Sequence, residues 1–449
     1  MKTDLSSIKV LAALGLAAAY GYACAARADE AGPAALTLSA TDTFGPELTT
    51  SDQGADTIST PCDICGECDE NCCHCCQCGP PGRFWFRQEY VGWFATGGRV
   101  PTLVATSPDG SLPATTSLYG NATYNSNFRS GLYTQGGMWF DCCKNWGLQG
   151  DYFFVGRQSS PFSASSDGDP VLVRPFTDAA TGIPSQQLIA FPNTVVGSVA
   201  VSNYNSLSGT GGFLRGNLCC WQDCCETDGC ETDCDAGCGS CFRGQNCCRL
   251  DFIAGFRNYR FNDNLGVREN LTSIDQTSGV AVGTQFGVTD SFRTQNNFYG
   301  GEFGLILDRY RDRWMYELSA RVALGTTQQI VAIDGSTVVS FPGQPTAVNS
   351  GGLLALSSNI GHYTNNQFTA IPQFSGRLGY RLTERLTFLV GYTAIVWNQV
   401  ARAGDQIDTT VNTNLIPPPI PGGPNRPSFS LHTSDLLLQG ITIGGEYWF

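Results

Sequence analysis

Cationic side chains are scarce in this chain. Lysine occurs only at Lys2, Lys9 and Lys144, and the 26 lysines and arginines are outnumbered by 39 aspartates and glutamates, which gives a net charge of −13. A protein that binds nucleic acid needs a basic surface to contact the phosphate groups. The composition therefore disfavours nucleic acid as a partner.

Long apolar segments are also absent after the first 28 residues. A transmembrane helix needs about 20 consecutive apolar residues, and the mean hydropathy of the chain is only −0.10. A membrane β-barrel is compatible with these values, because only alternate residues of its strands contact lipid.

Familiar enzyme motifs are missing. The sequence has no P-loop, no dinucleotide-binding glycine pattern and no HExxH. His432 lies near Ser434 and Asp435, and such groups can activate water or a hydroxyl. Nothing in the sequence fixes their geometry, however, and loop histidines such as His432 and His362 are more often exposed polar residues. We therefore predict that the chain is not an enzyme and needs no cofactor.

The N-terminal region is predicted to direct export. Residues 1–28 combine two lysines, an apolar stretch and a small-x-small cleavage pattern, as in a secretory signal peptide. Residues 29–61 are acidic and aperiodic, a composition that predicts a disordered linker. Residues 62–82 form a cysteine-rich periplasmic segment, and the folded domain is expected to cover residues 83–449.

Ten segments of this domain have the composition of β-strands. They are residues 83–94, 128–140, 146–156, 199–218, 249–261, 291–309, 314–333, 368–382, 386–402 and 435–449. The expected fold is all-β, an antiparallel transmembrane β-barrel of about 10 strands, or about 12 if a loop contains a further hairpin. A disordered, acidic, cysteine-rich arm precedes it.

The alternation of side chains is clearest at residues 314–324. Trp314 and Tyr316 share one face of the predicted strand, whereas Glu317 and Arg321 share the other. A tilted strand of about 9–11 residues crosses a bilayer, so the apolar face is expected to contact outer-membrane lipid. A soluble β-sandwich alternates in the same way, so this pattern alone leaves both classes open.

The connections between the strands favour the membrane class. Short turns are predicted at residues 141–145, 310–313 and 383–385, and long loops at residues 95–127, 157–198, 262–290, 334–367 and 403–434. Outer-membrane barrels have short periplasmic turns and longer outer loops. Both chain ends are therefore expected in the periplasm, together with one long cysteine-rich insert at residues 219–248.

The last residues predict how the barrel is assembled. Thr442, Gly444, Tyr447 and the terminal Phe449 follow a polar-x-Gly-x-x-aromatic-x-Phe pattern. This pattern resembles the sorting signal of outer-membrane barrels, which implies the barrel-assembly machinery as a partner. The final strand is expected to pair with the first strand, residues 83–94, and so to close the barrel.

Three segments carry a resemblance to a known family. They are residues 83–108 (RFWFRQEYVGWFATGGRVPTLVATSP), 170–176 (PVLVRPF) and 444–449 (GGEYWF). In this order they resemble planctomycete outer-membrane β-barrel proteins, in particular the seventh of the numbered BBP barrel families. The resemblance spans residues 83–449 and implies the fold and an outer-membrane location. It implies no functional residues, because the family has no well-defined substrate or reaction.

Cysteine is abundant and one-sided. Of 21 cysteines, 20 remain when Cys24 of the predicted signal peptide is removed, and all 20 fall on the predicted periplasmic side. Small segments without a core need cross-links, so we predict disulfides in an oxidising compartment, within the chain or to cell-wall or other envelope proteins. The candidates are Cys62, Cys65, Cys68, Cys72, Cys73, Cys75, Cys76, Cys78, Cys142, Cys143, Cys219, Cys220, Cys224, Cys225, Cys230, Cys234, Cys238, Cys241, Cys247 and Cys248.

Metal binding is the alternative for the same cysteines. Cys62, Cys65, Cys68 and Cys72 have the spacing of a bacterial iron–sulfur motif, but Cys73 stands where that motif has proline. Export in the unfolded state would also separate the chain from cluster assembly. Zinc or another soft metal held by thiolates beside carboxylates remains as the metal hypothesis, with no particular ligand set assigned.

Charged residues on the opposite face of the strands are predicted to point into the lumen. They are Arg87, Glu89, Asp151, Asp251, Arg257, Glu302, Glu317, Arg321, Arg377, Arg381 and Glu446. A ten-stranded barrel is narrow, so mixed charges of this length predict an internal salt-bridge network. A narrow path for ions is the competing hypothesis.

These observations lead to one functional hypothesis with two alternatives. The first is an integral outer-membrane β-barrel with a mainly structural role in the cell envelope, cross-linked by disulfides on its periplasmic side. The alternatives are a narrow pore for ions or small solutes, and soft-metal binding by the periplasmic cysteine clusters.

Overall fold

The computed structural model describes residues 78–107, 110–114, 116–141, 143–222, 246–275 and 280–449. The predicted signal peptide, the predicted linker and residues 62–77 of the cysteine-rich segment lie outside these residues, and so does the middle of the predicted insert.

Ten antiparallel strands form a closed barrel. They are β1 (Phe84–Ala95), β2 (Arg129–Trp139), β3 (Trp146–Ser159), β4 (Val195–Gln222), β5 (Asn246–Ser273), β6 (Gln285–Arg311), β7 (Trp314–Ser340), β8 (Gly361–Arg381), β9 (Leu386–Ala401) and β10 (Thr433–Trp448). Each strand pairs with its neighbours in the chain, and β10 pairs with β1. The predicted barrel is therefore confirmed, and within the described residues its ring has ten strands rather than twelve.

The closing pair of strands is the one expected from the C-terminal pattern. Trp448 lies opposite Trp85, and Gly444 lies opposite Glu89. Gly444 is needed here because a Cβ atom at this position would lie 2.0 Å from the carbonyl oxygen of Gln88. The predicted pairing of the last strand with the first is confirmed.

The two faces of the strands separate side chains as predicted. In β7, Trp314, Tyr316 and Leu318 are 44–46% exposed, whereas Met315 and Glu317 are each only 4% exposed. The outward apolar residues of all ten strands form a continuous surface that we call the apolar belt. It includes Phe86, Tyr90, Leu132, Met138, Leu148, Tyr152, Phe154, Leu214, Phe256, Tyr299, Phe303, Leu305, Trp314, Tyr316, Leu318, Leu324, Leu378, Phe388, Val390, Tyr392, Ile441, Ile443 and Tyr447.

The two ends of the barrel differ. At one end, which we call the turn end, short turns join β2 to β3, β6 to β7 and β8 to β9, and the barrel begins at Phe84 and finishes at Trp448. The opposite end, the loop end, carries the long connections, except that the connection from β4 to β5 is at the turn end. The predicted division between short turns and long loops is thus present.

Five strands, β4 to β8, are markedly longer than the sequence predicts. β4 to β7 have 27 or 28 residues each and β8 has 21, so most of predicted loop 262–290 is strand, as are the start and the end of loop 334–367. The outward residues beyond Phe261 in β5 are polar or glycine, for example Asn262 and Asn264, so this part has the composition of a loop. Its inward residues nevertheless remain buried, because they pack against the loop-end connections.

The predicted insert at residues 219–248 needs the same correction. β4 continues to Gln222 and β5 begins at Asn246, so both ends of that insert belong to strands. Cys220 lies opposite Arg249 and Gln222 lies opposite Cys247 in this pairing. The barrel wall therefore brings cysteines from both sides of the insert together at the turn end.

The predicted outer loops contain strands of their own. Val104–Ser107, Thr116–Tyr119, Val171–Asp178, Pro184–Ala190 and Thr410–Val411 form a small sheet, which we call the loop sheet. Gly98–Val100 pairs with Ala122–Tyr124, Phe162–Ser166 pairs with β4, and Ala347–Ser350 pairs with β7. Two 3-10 helices, Gly404–Gln406 and Thr413–Leu415, complete the described elements.

The loop sheet fills the loop end of the barrel. Leu103, Leu172 and Ile189 of the loop segments pack in one buried apolar cluster with Val267 and Phe292 of the wall. Burial of large apolar side chains is the main stabilising contribution to such a cluster. None of the helices in the described residues is long and apolar enough to cross a membrane.

Deletion of Phe449 is expected to lower the yield of folded barrel sharply. Phe449 donates its N–H to the carbonyl of Phe84 (2.9 Å), and its ring lies 4.8 Å from that of Tyr447, yet the side chain is 60% exposed. Its loss removes little packing, so the expected effect is on assembly. The measurement is the fraction of heat-modifiable, membrane-inserted protein. Phe449→Tyr is the matched control and should insert normally; normal insertion of the deletion variant would contradict the assembly role.

Candidate functional site in the barrel lumen

Alternation along the strands turns charged side chains into the lumen, where they form ion pairs. Six arginines face seven carboxylates, contributed by eight of the ten strands, and we call this set the lumen network. Its members are Arg87, Arg215, Arg249, Arg257, Arg321 and Arg377 with Glu89, Asp151, Asp251, Glu302, Asp308, Glu317 and Glu446.

The part of the network near β1 is organised by one shared carboxylate. Glu317 accepts from Arg87 through Nη2 (2.6 Å) and from Arg377 through Nη1 (2.8 Å). Arg87 also binds Glu446 (2.7 Å), and Arg377 binds Glu89 (3.0 Å). Five charged groups from β1, β7, β8 and β10 therefore form one chain across the lumen, and each of them is at most 8% exposed.

A second group connects strands β3, β5, β6 and β7. Arg257 binds Asp151 with two nitrogens and Glu302 with Nε (2.7 Å). Arg321 lies 3.4 Å from Asp151 and 3.5 Å from Glu302. Two guanidinium groups thus share two carboxylates, an arrangement that compensates all four buried charges.

The third group lies near the turn end. Arg215 binds Asp251 (2.7 Å) and Asp308 (2.6 Å), and Arg249 also binds Asp251 (2.7 Å). Both guanidinium groups also lie over the ring of Trp139, at 4.3–5.2 Å from its centre. The lumen is therefore bridged by charged groups at several levels.

Ten of the eleven charged residues assigned to the lumen from the sequence lie in this network. Arg381 does not; its guanidinium lies 6.0 Å from the ring of Tyr310 near the turn end. The sequence interpretation missed Arg215, Arg249 and Asp308. Arg215 follows the inward-facing Phe213 by two residues, so the alternation in β4 could have identified it.

Two small cavities lie among the charged and aromatic residues of the lumen. A cavity of about 20 Å³ lies at the turn end beside Trp85, Trp448 and Arg215, and one of about 10 Å³ lies beside Trp93, Tyr133 and Arg377. A cavity needs about 10–15 Å³ to hold one water molecule. Each of these cavities therefore has room for about one water.

The turn end is covered by the residues that precede β1. Cys78 forms a disulfide with Cys247 of β5 and packs against Tyr310 and Met315. Lys144 donates to the carbonyl of Pro80 (2.7 Å). Because β5 and β6 lie across the ring from β1, residues 78–82 cross the mouth of the barrel.

Two more of the candidate cysteines, Cys143 and Cys220, are disulfide-bonded, and Cys219 and Cys248 are half-buried at the same end. The remaining candidates lie outside the described residues: Cys62, Cys65, Cys68, Cys72, Cys73, Cys75, Cys76, Cys142, Cys224, Cys225, Cys230, Cys234, Cys238 and Cys241.

The metal hypothesis concerns mainly those undescribed cysteines and stays a prediction. In the part of the chain that the structure describes, no group of three or more histidine, cysteine, aspartate or glutamate side chains could hold a metal ion. The hydroxyl of Ser434, which the sequence placed near His432, donates to Asp405 (2.9 Å) and accepts from Arg402 (3.0 Å).

A further ion cluster, which the sequence did not reveal, fixes the loop sheet. Arg174 of the strand Val171–Asp178 is 1% exposed and binds both Glu269 of β5 and Asp290 of β6. Burial alone would lower the pKa of Arg174, but the adjacent Asp290 and Glu269 carboxylates raise it above its ordinary value. The sequence feature that could have indicated this ion cluster is the single arginine, Arg174, inside the apolar segment PVLVRPF.

The buried carboxylate of Asp290 is satisfied on its other side by the backbone. Its Oδ1 accepts from the amides of Leu353, Leu354 and Ala355 at 2.9–3.1 Å. Glu269 likewise accepts from Gln187 (2.9 Å). This cluster therefore joins three loop segments to the wall.

Residues 85–449 match the family described as "Putative beta barrel porin-7 (BBP7)". The chain belongs to this family. The match covers nearly the whole of the ten-stranded barrel, with its lumen network, and confirms the resemblance carried by residues 83–108, 170–176 and 444–449. No curated protein matches the chain.

Two solved structures are remotely similar to this BBP7 chain. The outer membrane protease OmpT from Escherichia coli has 9% identity and a TM-score of 0.34, with 82% of this chain and 97% of that chain covered. The toluene transporter TodX from P. putida has 8% identity and a TM-score of 0.16, with 83% of this chain and 93% of that chain covered. Neither likeness bears on the function of this chain.

Proposed function

We propose that this chain is an outer-membrane β-barrel with a closed lumen and a structural role in the cell envelope. The observation that carries the proposal is the filled lumen: three groups of ion pairs bridge it, the loop sheet occupies the loop end, and the internal cavities hold about one water each.

The outward surface supports the membrane location. Large apolar side chains are exposed on every strand of the barrel, and a protein in water rarely exposes so large a continuous apolar surface. A membrane barrel presents such a belt to lipid. The short turns lie at the same end as the first and last strand residues of the barrel, Phe84 and Trp448. Outer-membrane barrels have short periplasmic turns, so this arrangement favours the orientation with the turn end in the periplasm.

The disulfides support the anchoring part of the proposal. The Cys78–Cys247 bond links positions 169 residues apart and holds the segment before β1 against the mouth of the barrel. Disulfides form and persist in the periplasm. A cross-linked turn end stabilises a structural protein, and further bonds from this end to other envelope proteins would fix the barrel in place.

Conduction of ions through the lumen would require the ion pairs of the lumen network to break. Breaking a buried ion pair leaves charges without compensation and costs about 3–5 kcal/mol. The network contains several interlocked pairs, so an open state should be rare at equilibrium. A closed barrel differs from the porin activity that the name of the family suggests. A conductance measurement distinguishes a closed barrel from a porin.

The test is the conductance of the full-length protein in a planar bilayer, with and without reductant. We expect no steady channels in either condition, because the lumen network closes the barrel even when Cys78 and Cys247 are reduced. The control carries Arg87→Ala, Glu89→Ala, Glu317→Ala and Arg377→Ala, which empties part of the lumen and should introduce current. Steady openings of the unmodified protein would show a pore and overturn the proposal.

A further inference from the structure

The wall of the barrel splits between β8 and β9. The β8–β9 ladder ends where Gln373 lies opposite Ile395, whereas the β7–β8 ladder continues for twelve more residues, to Gly361 opposite Ile333. Beyond the split, β9 turns into the lumen. There Trp397 donates to Thr327 (3.1 Å). One edge of β8 therefore loses its neighbouring strand at the loop-end margin of the apolar belt, where Ala370 lies opposite Leu324.

Pro372 explains why the ladder stops there. Proline has no N–H and interrupts a ladder on the side to which its nitrogen points. Arg381 donates its N–H to Arg313, on the β7 side, and the β7–β8 pairing has no register irregularity. Odd-numbered residues of β8 therefore bond β7, and even-numbered residues direct their N–H and C=O groups to the open edge.

The free edge consists of residues 364–370. Thr364, Asn366, Phe368 and Ala370 carry the backbone groups that point outward along it, and no backbone hydrogen bond from another described segment reaches them. Above it, Tyr363 is covered by Phe429, whose ring stacks on it at 3.7 Å.

This edge lacks the features that usually protect an exposed strand. Natural edges are blunted by lysines, prolines, inward charges, bulges or covering segments. The sequence TNNQFTA at residues 364–370 has neither a charged residue nor a proline. Phe368 is 67% exposed, and Asn365 is exposed although it faces inward. The unpaired edge is accessible from both sides.

A second copy of this barrel does not fit the edge. Two barrels in one membrane that are related by a two-fold axis along the membrane normal would have their tilted strands cross at about 70–90°, because barrel strands tilt by about 35–45°. Paired strands must run nearly parallel or antiparallel. The described chain enters the barrel at the turn end, on the far side of the apolar belt from this edge.

We propose that the free edge of β8 binds an extended segment of another envelope protein by strand addition. Main-chain hydrogen bonds to the even-numbered residues would supply affinity, and alternate side chains would supply specificity. An apolar β-branched or aromatic residue fits beside Phe368, and hydroxyl or amide side chains fit beside Thr364 and Asn366. The segment is uncharged at these positions. The proposal holds whether or not the lumen conducts.

A fluorescent peptide of sequence LGTTQQIVAI is a suitable probe. It copies residues 324–333 of β7, which already pair with residues 361–370 of β8 on the opposite edge. Its binding to the full-length protein in lipid nanodiscs is measured by anisotropy. Two versions of the peptide, each methylated on the backbone nitrogens of a different alternate set of residues, test strand addition directly. Only one set of N–H groups would point toward β8. Methylation of that set should abolish binding, and methylation of the other set should not. Equal effects of both sets, or no saturable binding up to about 1 mM, would overturn the proposal.

Variants of Asn366 test the site on the protein. Asn366→Pro removes an edge N–H and should weaken binding by about tenfold or more, whereas Asn366→Thr keeps that N–H and should bind within about twofold of the unmodified protein. Hydrogen exchange on the unmodified protein provides a second readout that does not depend on the variants folding: the peptide should protect residues 361–371. Protection by lipid alone, or equal binding to Asn366→Pro, would count against strand addition.

Discussion

Replacement of Glu317 by alanine is expected to lower the free energy of unfolding by about 3–5 kcal/mol. The carboxylate of Glu317 is the shared partner of Arg87 and Arg377, and all three residues are buried. Without it, two guanidinium groups face an empty position in the buried lumen. Each retains only one carboxylate, Glu446 for Arg87 and Glu89 for Arg377.

The measurement is unfolding by urea in lipid vesicles, followed by tryptophan fluorescence. Asp334→Ala is the matched control, because Asp334 also pairs with an arginine, Arg293, but both side chains are about half exposed. Its effect should stay within about 0.5 kcal/mol, as is usual for surface pairs. A loss below about 1 kcal/mol for Glu317→Ala would show that the network relaxes and is not a rigid closure of the lumen.

The lumen network was the part of the site most accessible from the sequence. In a strand, residues two apart share a face, so an arginine or glutamate opposite a row of aromatic residues must point inward. This rule places Arg87, Glu317 and Arg377 in the lumen. It does not identify their partners, because the shared carboxylate of Glu317 depends on register across strands that are more than 200 residues apart in sequence.

The loop end was predicted poorly for a physical reason. In β5 to β7, the outward face changes from apolar to polar above the apolar belt, while the inward face stays buried. That burial depends on the loop sheet, which comes from distant parts of the chain. A strand has the composition of a loop when its outer residues are polar and its inner residues are buried only by a distant part of the chain. Residues such as Asn262 and Asn264 therefore concealed the continuation of β5.

The closed lumen and the free edge of β8 are compatible features of one design. The inward turn of β9 contributes Trp397 and Val400 to the buried aromatic cluster in the lumen. The same turn removes the neighbour of β8 beyond Pro372. The filled lumen and the free edge therefore share a structural cause, and disruption of the loop end should affect both.

The Arg174→Met variant is expected to release the loop sheet from the wall. Methionine keeps much of the volume but leaves the carboxylates of Glu269 and Asp290, which are both fully buried, without a counter-charge. Loss of one partner from a buried ion cluster costs about 3–5 kcal/mol. The network near Glu317 lies below this cluster and should stay intact, so the effect should be confined to the loop end.

Limited proteolysis and hydrogen exchange of the strand Val171–Asp178 measure this release. The control is Arg268→Met, which alters the neighbouring residue of Glu269 on the exposed face of β5 and should leave both readouts unchanged. Faster cleavage within the loop sheet, with the apolar belt still protected, is the expected pattern for Arg174→Met. If protection of Val171–Asp178 equalled that of the control, the apolar packing of Leu172 and Ile189 alone would hold the loop sheet, and Arg174 would not be its anchor.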